Sequence, residues 1–224
     1  MNDQTFYQDF YSRTDWKQNK LIITLGTRAY LNIFTGLLQR NYSNFCDVGC
    51  GTGRFTKILS QFGYSIKGFD FSGKAIERAK KAFPELDFSC QDATDLKYTE
   101  KFDVFFVNGF SLFNTLDFTL VKDTIAYWSQ FLNNNGAIFC ISKTDFSGKI
   151  KSGWHYHTKA QVDEMFHIDG FSTQVHYIHS SLKYICLLPF TRFCLKLAEI
   201  VSDKLFNKLL KLPLRSLIIL TKND

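Results

Sequence analysis

FCDVGCGTGRF, residues Phe45–Phe55, reads as a short apolar strand, a turn holding Gly49, Gly51 and Gly53, and the first turn of a helix. Glycine lets the backbone take positive φ and removes the Cβ that would keep a ligand at a distance. The helix opening at Arg54 points its unpaired N–H groups at whatever lies over the turn. Many nucleotide-like ligands would suit such a turn. A dinucleotide fingerprint, GxGxxG, would need a third glycine where Arg54 stands, and a P-loop would close on Gly-Lys-Ser/Thr, which is absent.

Outward from this turn, apolar runs alternate with helical periodicity. The runs are Asn44–Val48, Ser65–Phe69, Leu86–Cys90, Phe102–Asn108 and Ala137–Ser142. Helical patterns fill Arg54–Phe62, Lys74–Phe83 and about Leu116–Leu132. The alternation predicts an α/β fold, a Rossmann-like doubly wound sheet of about seven strands. A helix over Thr158–Phe166, capped by Thr158 with Gln161, a strand at Phe171–Ile178 and an antiparallel last strand at Leu214–Thr221 complete it. Asp70 ends the second strand and Asp92 follows the third. The three features are one strand–helix unit apart, so both acids reach the sheet edge that carries the glycines, where open α/β sheets bind ligands.

The chain has 224 residues, 45% hydrophobic, which suits one domain with a large core. The reading divides it into a helical cap over 1–40, a core over 41–181, an insertion over 182–213 and a final strand over 214–224. Six cysteines form no CxxC pair, so neither a zinc ribbon nor a redox motif is expected. No basic-then-apolar leader is seen at the start, and a cytoplasmic location is the expectation. No membrane-spanning run of about 20 apolar residues is read either. Net charge is +6. From Leu182 to Lys222, eight basic residues stand against Glu199 and Asp203, so the excess belongs to this segment. Nucleic acid is an unlikely partner for charge so confined.

The glycine turn, FDFSGKAIERAK (Phe69–Lys80), CQDATDL (Cys90–Leu96), FDVFFVNGFSLFNTL (Phe102–Leu116), FLNNNGAIFCISK (Phe131–Lys143) and HTKAQVDEMFHIDGF (His157–Phe171) together resemble the class I S-adenosylmethionine-dependent methyltransferases. The resemblance covers about residues 40–180 and the last strand. It implies S-adenosyl-L-methionine as cofactor and S-adenosyl-L-homocysteine as product. It implies that Asp47 and Gly49 border the methionine end, that Gly51 and Gly53 bind the cofactor with them, and that Asp70 holds the ribose. Phe71 would pack on the adenine, Asp92 and the Ala93 backbone would meet its edge, and the backbone at Asn108 and Gly109 would face the methionyl amino group. Tyr11, on the aromatic stripe Phe6, Tyr7, Phe10 and Tyr11, would touch the cofactor from a lid.

An oxygen nucleophile needs a base, and a positioned base adds typically about 10²–10⁴-fold. WHYHT, after the fifth strand, supplies His155 and His157, which titrate near neutrality. Tyr156 and Trp154 suit a pocket wall. Asn114 stands where related small-molecule enzymes often carry histidine. It is neutral and is expected to bind substrate rather than act as a base. Asp145 is the one acid of that loop, and a single carboxylate predicts no metal site. The acceptor is expected to be a small molecule or saccharide, with a lipid-linked one as a variant. A non-catalytic cofactor-binding adaptor is the alternative.

The insertion is expected to leave the carboxyl edge, since the sixth strand should run parallel to its neighbours. Its apolar stripe, Phe190, Phe193, Cys194, Leu197 and Val201, then Leu205, Leu209 and Leu212, predicts two helices, the second capped by Ser202 or Asp203. Such a basic amphipathic segment suits a substrate lid, a contact with a membrane or a lipid-linked or anionic acceptor, or a dimer contact.

Overall fold

The computed structural model describes residues 20–151 and 153–223, so Tyr11 and its stripe lie outside the described residues. The chain enters on helix α1 (Lys20–Leu38). It then alternates through β1 (Asn44–Val48), α2 (Arg54–Gln61), β2 (Ser65–Asp70), α3 (Gly73–Ala82), β3 (Asp87–Cys90), β4 (Phe102–Asn108), α4 (Phe118–Trp128) and β5 (Leu132–Thr144). A hairpin of β6 (Lys149–Lys151) and β7 (Trp154–Tyr156) precedes α5 (Lys159–Met165), β8 (Phe171–Ile178), the insertion helix α6 (Thr191–Val201) and β9 (Leu214–Lys222).

Seven strands form one sheet in the order β3-β2-β1-β4-β5-β9-β8, with β9 antiparallel to both neighbours. The chain thus has the expected Rossmann-like architecture. Strands buried on both faces need apolar residues at odd and even positions alike, and VFFV in β4 supplies them. Phe105 and Val107 meet Val121, Ile125 and Trp128 of α4. Val104 and Phe106 face the opposite layer, with Ile33 and Phe34 of α1 and Leu59 of α2. The helix α5 opens on a capping box, Thr158 Oγ1 accepting from the Gln161 N–H and Gln161 returning a bond to the Thr158 N–H.

Four expectations need correction. The sixth strand, β8, points the same way as β1–β5, but its hydrogen-bonded neighbour is the antiparallel β9. The loop after β5 contains the β6–β7 hairpin, which is too short and polar to give a strand signal. Leu21–Leu38 is long and apolar enough to cross a membrane, with a mean hydropathy of 1.4. Its Ala29, Tyr30, Leu31, Ile33 and Phe34 are buried against the sheet, while Leu21, Ile22 and Leu25 are exposed.

The insertion differs most. It is one helix rather than two: α6 continues past Ser202 as a wider π-helical stretch to Leu209. Ser202 caps nothing. It is buried, and its hydroxyl accepts the His179 N–H at 2.7 Å, tying the helix to the end of β8. The face turned to the core is Cys194, Leu195 and Ala198, whereas Phe190, Phe193, Leu197 and Leu209 of the expected stripe are exposed. The helix crosses α1 closely at its start, where a Cβ on Gly36 would sit 3.0 Å from the Thr191 Cβ, and the register so set turns Cys194, Leu195 and Ala198 inward. The helix therefore covers the sheet beside α1, and it is Lys183, in the preceding 3₁₀ turn (Leu182–Leu187), that reaches a recess at the carboxyl edge.

Candidate active site

The glycine turn closes as the sequence requires. Gly49 and Gly53 have φ of 66° and 77°, a region costly for residues with a Cβ. A Cβ on Gly53 would lie 2.5 Å from Phe88 Cζ, and one on Gly49 would lie 2.8 Å from Phe110 Cδ2. Gly51 contributes its N–H, which donates to Asp70 Oδ2 at 2.9 Å. Asp70 Oδ1 accepts from the Ser72 N–H at 2.9 Å. One carboxylate at the end of β2 thereby holds both the glycine turn and the entry to α3. Burial raises the Asp70 pKa above its ordinary value, and those two bonds oppose the rise.

Asp47 lies beneath the same turn. Its Oδ2 accepts from Thr56 Oγ1 at 2.6 Å. Burial pushes its pKa up to about 7, only partly offset by bonds from Thr56 and reinforced by Asp70. Asp47 is thus a buried support of the loop, as are Gly51 and Gly53; none of the three lines the cleft.

A cleft of about 350 Å³ opens over the turn, bounded by Gly49, Asp70, Phe71, Asp92, Ala93 and Phe110. Asp92 is exposed there. Its Oδ1 accepts from the N–H and hydroxyl of Thr94, at 2.8 and 2.7 Å, which fixes the loop. Behind it, Trp128 Nε1–H donates to the Ala93 carbonyl at 2.7 Å and holds that backbone in place. Five of the residues expected to hold a cofactor therefore converge. Asn108 stands apart, on a recess of about 250 Å³ with Phe55, Tyr30, Lys183 and Arg215.

Phe110 also borders a second, larger cleft of about 520 Å³, which holds Asn114, Lys143, His155, Tyr156, His157 and Arg215. The two histidine rings stack at 5.7 Å. His157 Nε2 lies 2.7 Å from the Thr115 carbonyl, which can only accept, so Nε2 carries the proton and Nδ1 keeps the lone pair. Burial holds the His157 pKa below its ordinary value and the ring neutral. Asn114 ties the cleft wall together: its Oδ1 accepts from the His155 N–H at 2.6 Å and its Nδ2 donates to the Gly153 carbonyl at 2.8 Å. Tyr156 is buried, with the ammonium groups of Lys143 and Lys151 each 5.4 Å from its ring centre. Lys151 is paired with Asp145. Lys143, Lys183, Arg215 and Phe110 escaped the sequence reading. Single basic residues on strands carry no positional signal, and only the pairing of β5 with β9 brings Lys143 opposite Arg215.

Sheet order, glycine turn and strand-end acids define a class I methyltransferase fold. Residues 45–136, from β1 to the start of β5, match the family model described as a methyltransferase domain. The malonyl-[acyl-carrier protein] O-methyltransferase 1 of Ilyobacter polytropus is 37% identical over 84 residues, 35% of this chain and 31% of that protein. The match thus spans about a third of that relative's length. The plantazolicin methyltransferase BamL, crystallised with a triazolic desmethylPZN analog and SAH, superposes with a TM-score of 0.64 at 17% identity, covering 99% of this chain and 90% of that one. The N-methyltransferase NodS of Bradyrhizobium japonicum WM9, in complex with S-adenosyl-L-homocysteine, gives 0.67 at 13% identity with both chains fully covered.

Proposed function

We propose that this chain transfers a methyl group from S-adenosylmethionine to an oxygen or nitrogen of a small-molecule or saccharide acceptor. The supporting observation is the pair of clefts that share Phe110, one bounded by Gly49, Asp70 and Asp92, the other by the histidines. The residues fit the adenosyl group. The cleft over the glycine turn is bounded by Asp70 and Asp92, carboxylates suited to ribose hydroxyls and the adenine edge, and by Phe71, which would pack on the adenine. When bound, the cofactor supplies a methyl group on a positively charged sulfur, already activated for displacement. The protein's part is to orient the acceptor, exclude water and take up a proton where the nucleophile carries one. Holding reactants in near-attack geometry supplies several kcal/mol of the barrier. Neutral His157, with Nδ1 unprotonated, is the base of this reading; Asn114, His155 and Tyr156 shape the wall around it. Incubation with methyl-labelled cofactor and a pool of small metabolites tests it. Labelled product lost in His157→Ala supports the reading. Cofactor binding with no product from any acceptor favours the non-catalytic adaptor.

The insertion supports a lipid-linked acceptor met at a membrane surface. Phe190 is 84% and Phe193 72% exposed, with Leu197, Ile200 and Leu209 also turned outward and Lys196, Lys204 and Lys208 beside them. An apolar stripe flanked by lysines matches an anionic bilayer surface. A two-fold pairing of this face with a second copy would set lysines against lysines. Co-sedimentation with phosphatidylserine vesicles, weakened at least tenfold in Phe190→Ser/Phe193→Ser and by high salt, supports this contact. Self-association without vesicle binding refutes it.

A further inference from the structure

Half-buried charges in proteins are usually paired, because an isolated ion away from water is costly. The carboxyl edge of this sheet breaks the rule twice, at Lys183 and Arg215, with a third cation, Lys143, exposed beside them. Lys143 on β5 and Arg215 on β9 are cross-strand partners, Arg215 partly buried and Lys143 exposed at the rim. Arg215 borders the histidine cleft on one side and the Asn108 recess on the other. Lys183 borders that same recess, its ammonium 4.8 Å from the Tyr30 ring centre and packed so closely on α1 that a Cβ on Gly26 would meet its Cε at 2.9 Å. Burial first, and Arg215 second, hold the Lys183 pKa below its ordinary value. Among the described residues, no carboxylate forms an ion pair with any of the three. Asp145, on the adjoining loop, is already engaged by Lys151. Arg215 shares one cleft with Lys143 and the next with Lys183, and no ion-paired acid stands between them, an arrangement suited to an anion that the protein does not itself supply.

We propose that Lys143, Lys183 and Arg215 form a subsite for an anionic group, a carboxylate or a phosphate, on the methyl acceptor. The inference rests on the methyl-transfer reading for the word acceptor, but the anion site stands on its own geometry. Arg215 offers the planar fork that takes two oxygens of either group, with the lysines as point charges beside it. The position also sets the chemistry. An acceptor held here by one anionic group presents the rest of itself to the histidine cleft. An acceptor whose anionic group is itself the nucleophile, a carboxylate, needs no base.

The test uses the full chain with malonate and with inorganic phosphate as probes, each titrated by calorimetry or NMR in the presence of saturating S-adenosylhomocysteine. Saturable binding of either probe is expected, and its preference for one identifies the anion. Arg215→Gln and Lys143→Gln should each weaken that binding about tenfold, the worth of one charge-assisted hydrogen bond, while Arg215→Lys retains part of it. Both glutamine variants should keep S-adenosylhomocysteine affinity within about twofold and melt no lower than the parent without anion, since each removes a repulsion. Failure of the parent to bind either probe overturns the proposal. So does a tenfold loss of S-adenosylhomocysteine affinity in the variants, which would assign the cations to that ligand's own carboxylate. The methyl-transfer reading stands or falls separately, on labelled product.

Discussion

Asp47→Asn isolates the cost of the acid beneath the glycine turn. The carboxyl is 2% exposed and its ordinary pKa of 3.8 is pushed up to about 7 by burial. Between those values the folded chain keeps a proton that the unfolded chain has released. The folded state then binds more protons, so stability falls as pH rises across the window and the full loss is present above about pH 7. At about 1.4 kcal/mol per pKa unit, a rise of roughly three units costs about 4 kcal/mol at alkaline pH. Asparagine has the same shape and can still accept the Thr56 hydroxyl bond. It never ionises, so it avoids the loss. Urea unfolding followed by tryptophan fluorescence, on both proteins from about pH 5 to about pH 8, measures the difference directly. The advantage of the variant should grow by about 2–3 kcal/mol over that range. A difference that stays flat with pH, or a variant less stable at the alkaline end, would refute the reasoning, because Asp47 would then be ionised and stabilising. Asp70→Asn in the same background should reduce the effect, since Asp70 contributes to the Asp47 shift.

Asp70→Ala should weaken S-adenosylhomocysteine binding by more than about tenfold in calorimetry, because it removes a charged acceptor and frees the Gly51 N–H together. Gly53→Ala should lower stability by at least about 2 kcal/mol in chemical denaturation, from positive φ and the clash with Phe88. In Trp128→Phe the Ala93 carbonyl loses its donor; about 1–2 kcal/mol of stability should go, with a larger loss of adenosine-site affinity than of anion binding. Replacing residues 182–213 by a tight hairpin should abolish cooperative thermal unfolding, because Cys194, Leu195 and Ala198 then leave their sheet face uncovered.

The core was legible because its signals are local. VFFV in β4 can only be a strand buried on both faces, and Thr158 with Gln161 spells a helix start. The spacing of Gly49, Asp70 and Asp92 follows from one strand–helix unit each, so their meeting at one cleft could be read before any coordinates. The hidden part depends on non-local contact. The outward stripe of the insertion misled because helical periodicity identifies an apolar face but not the layer that meets it; here the crossing at Gly36 turned Cys194, Leu195 and Ala198 inward and left Phe193 and Leu197 outside. Asn114 lines the second cleft and its amide also bonds the backbone of Gly153 and His155, contacts 39 and 41 residues away that no sequence window could reveal. Lys143, Lys183 and Arg215 come from three separate elements and acquire meaning only where β5, β9 and the 3₁₀ turn meet.

The order of the last two strands also bears on how the molecule assembles. β9 lies between β5 and β8 in space but follows both along the chain, and the insertion separates it from β8. Each doubling of a connecting loop adds roughly 0.6 kcal/mol of closure entropy, so a segment of about 35 residues in place of a four-residue turn costs about 2 kcal/mol before any ladder bond forms. β8 and β9 therefore cannot zip as a local hairpin. Until residues up to Lys222 dock, β5 exposes an unpaired strand edge, and nascent or truncated chains should be the aggregation-prone species in this protein's life cycle.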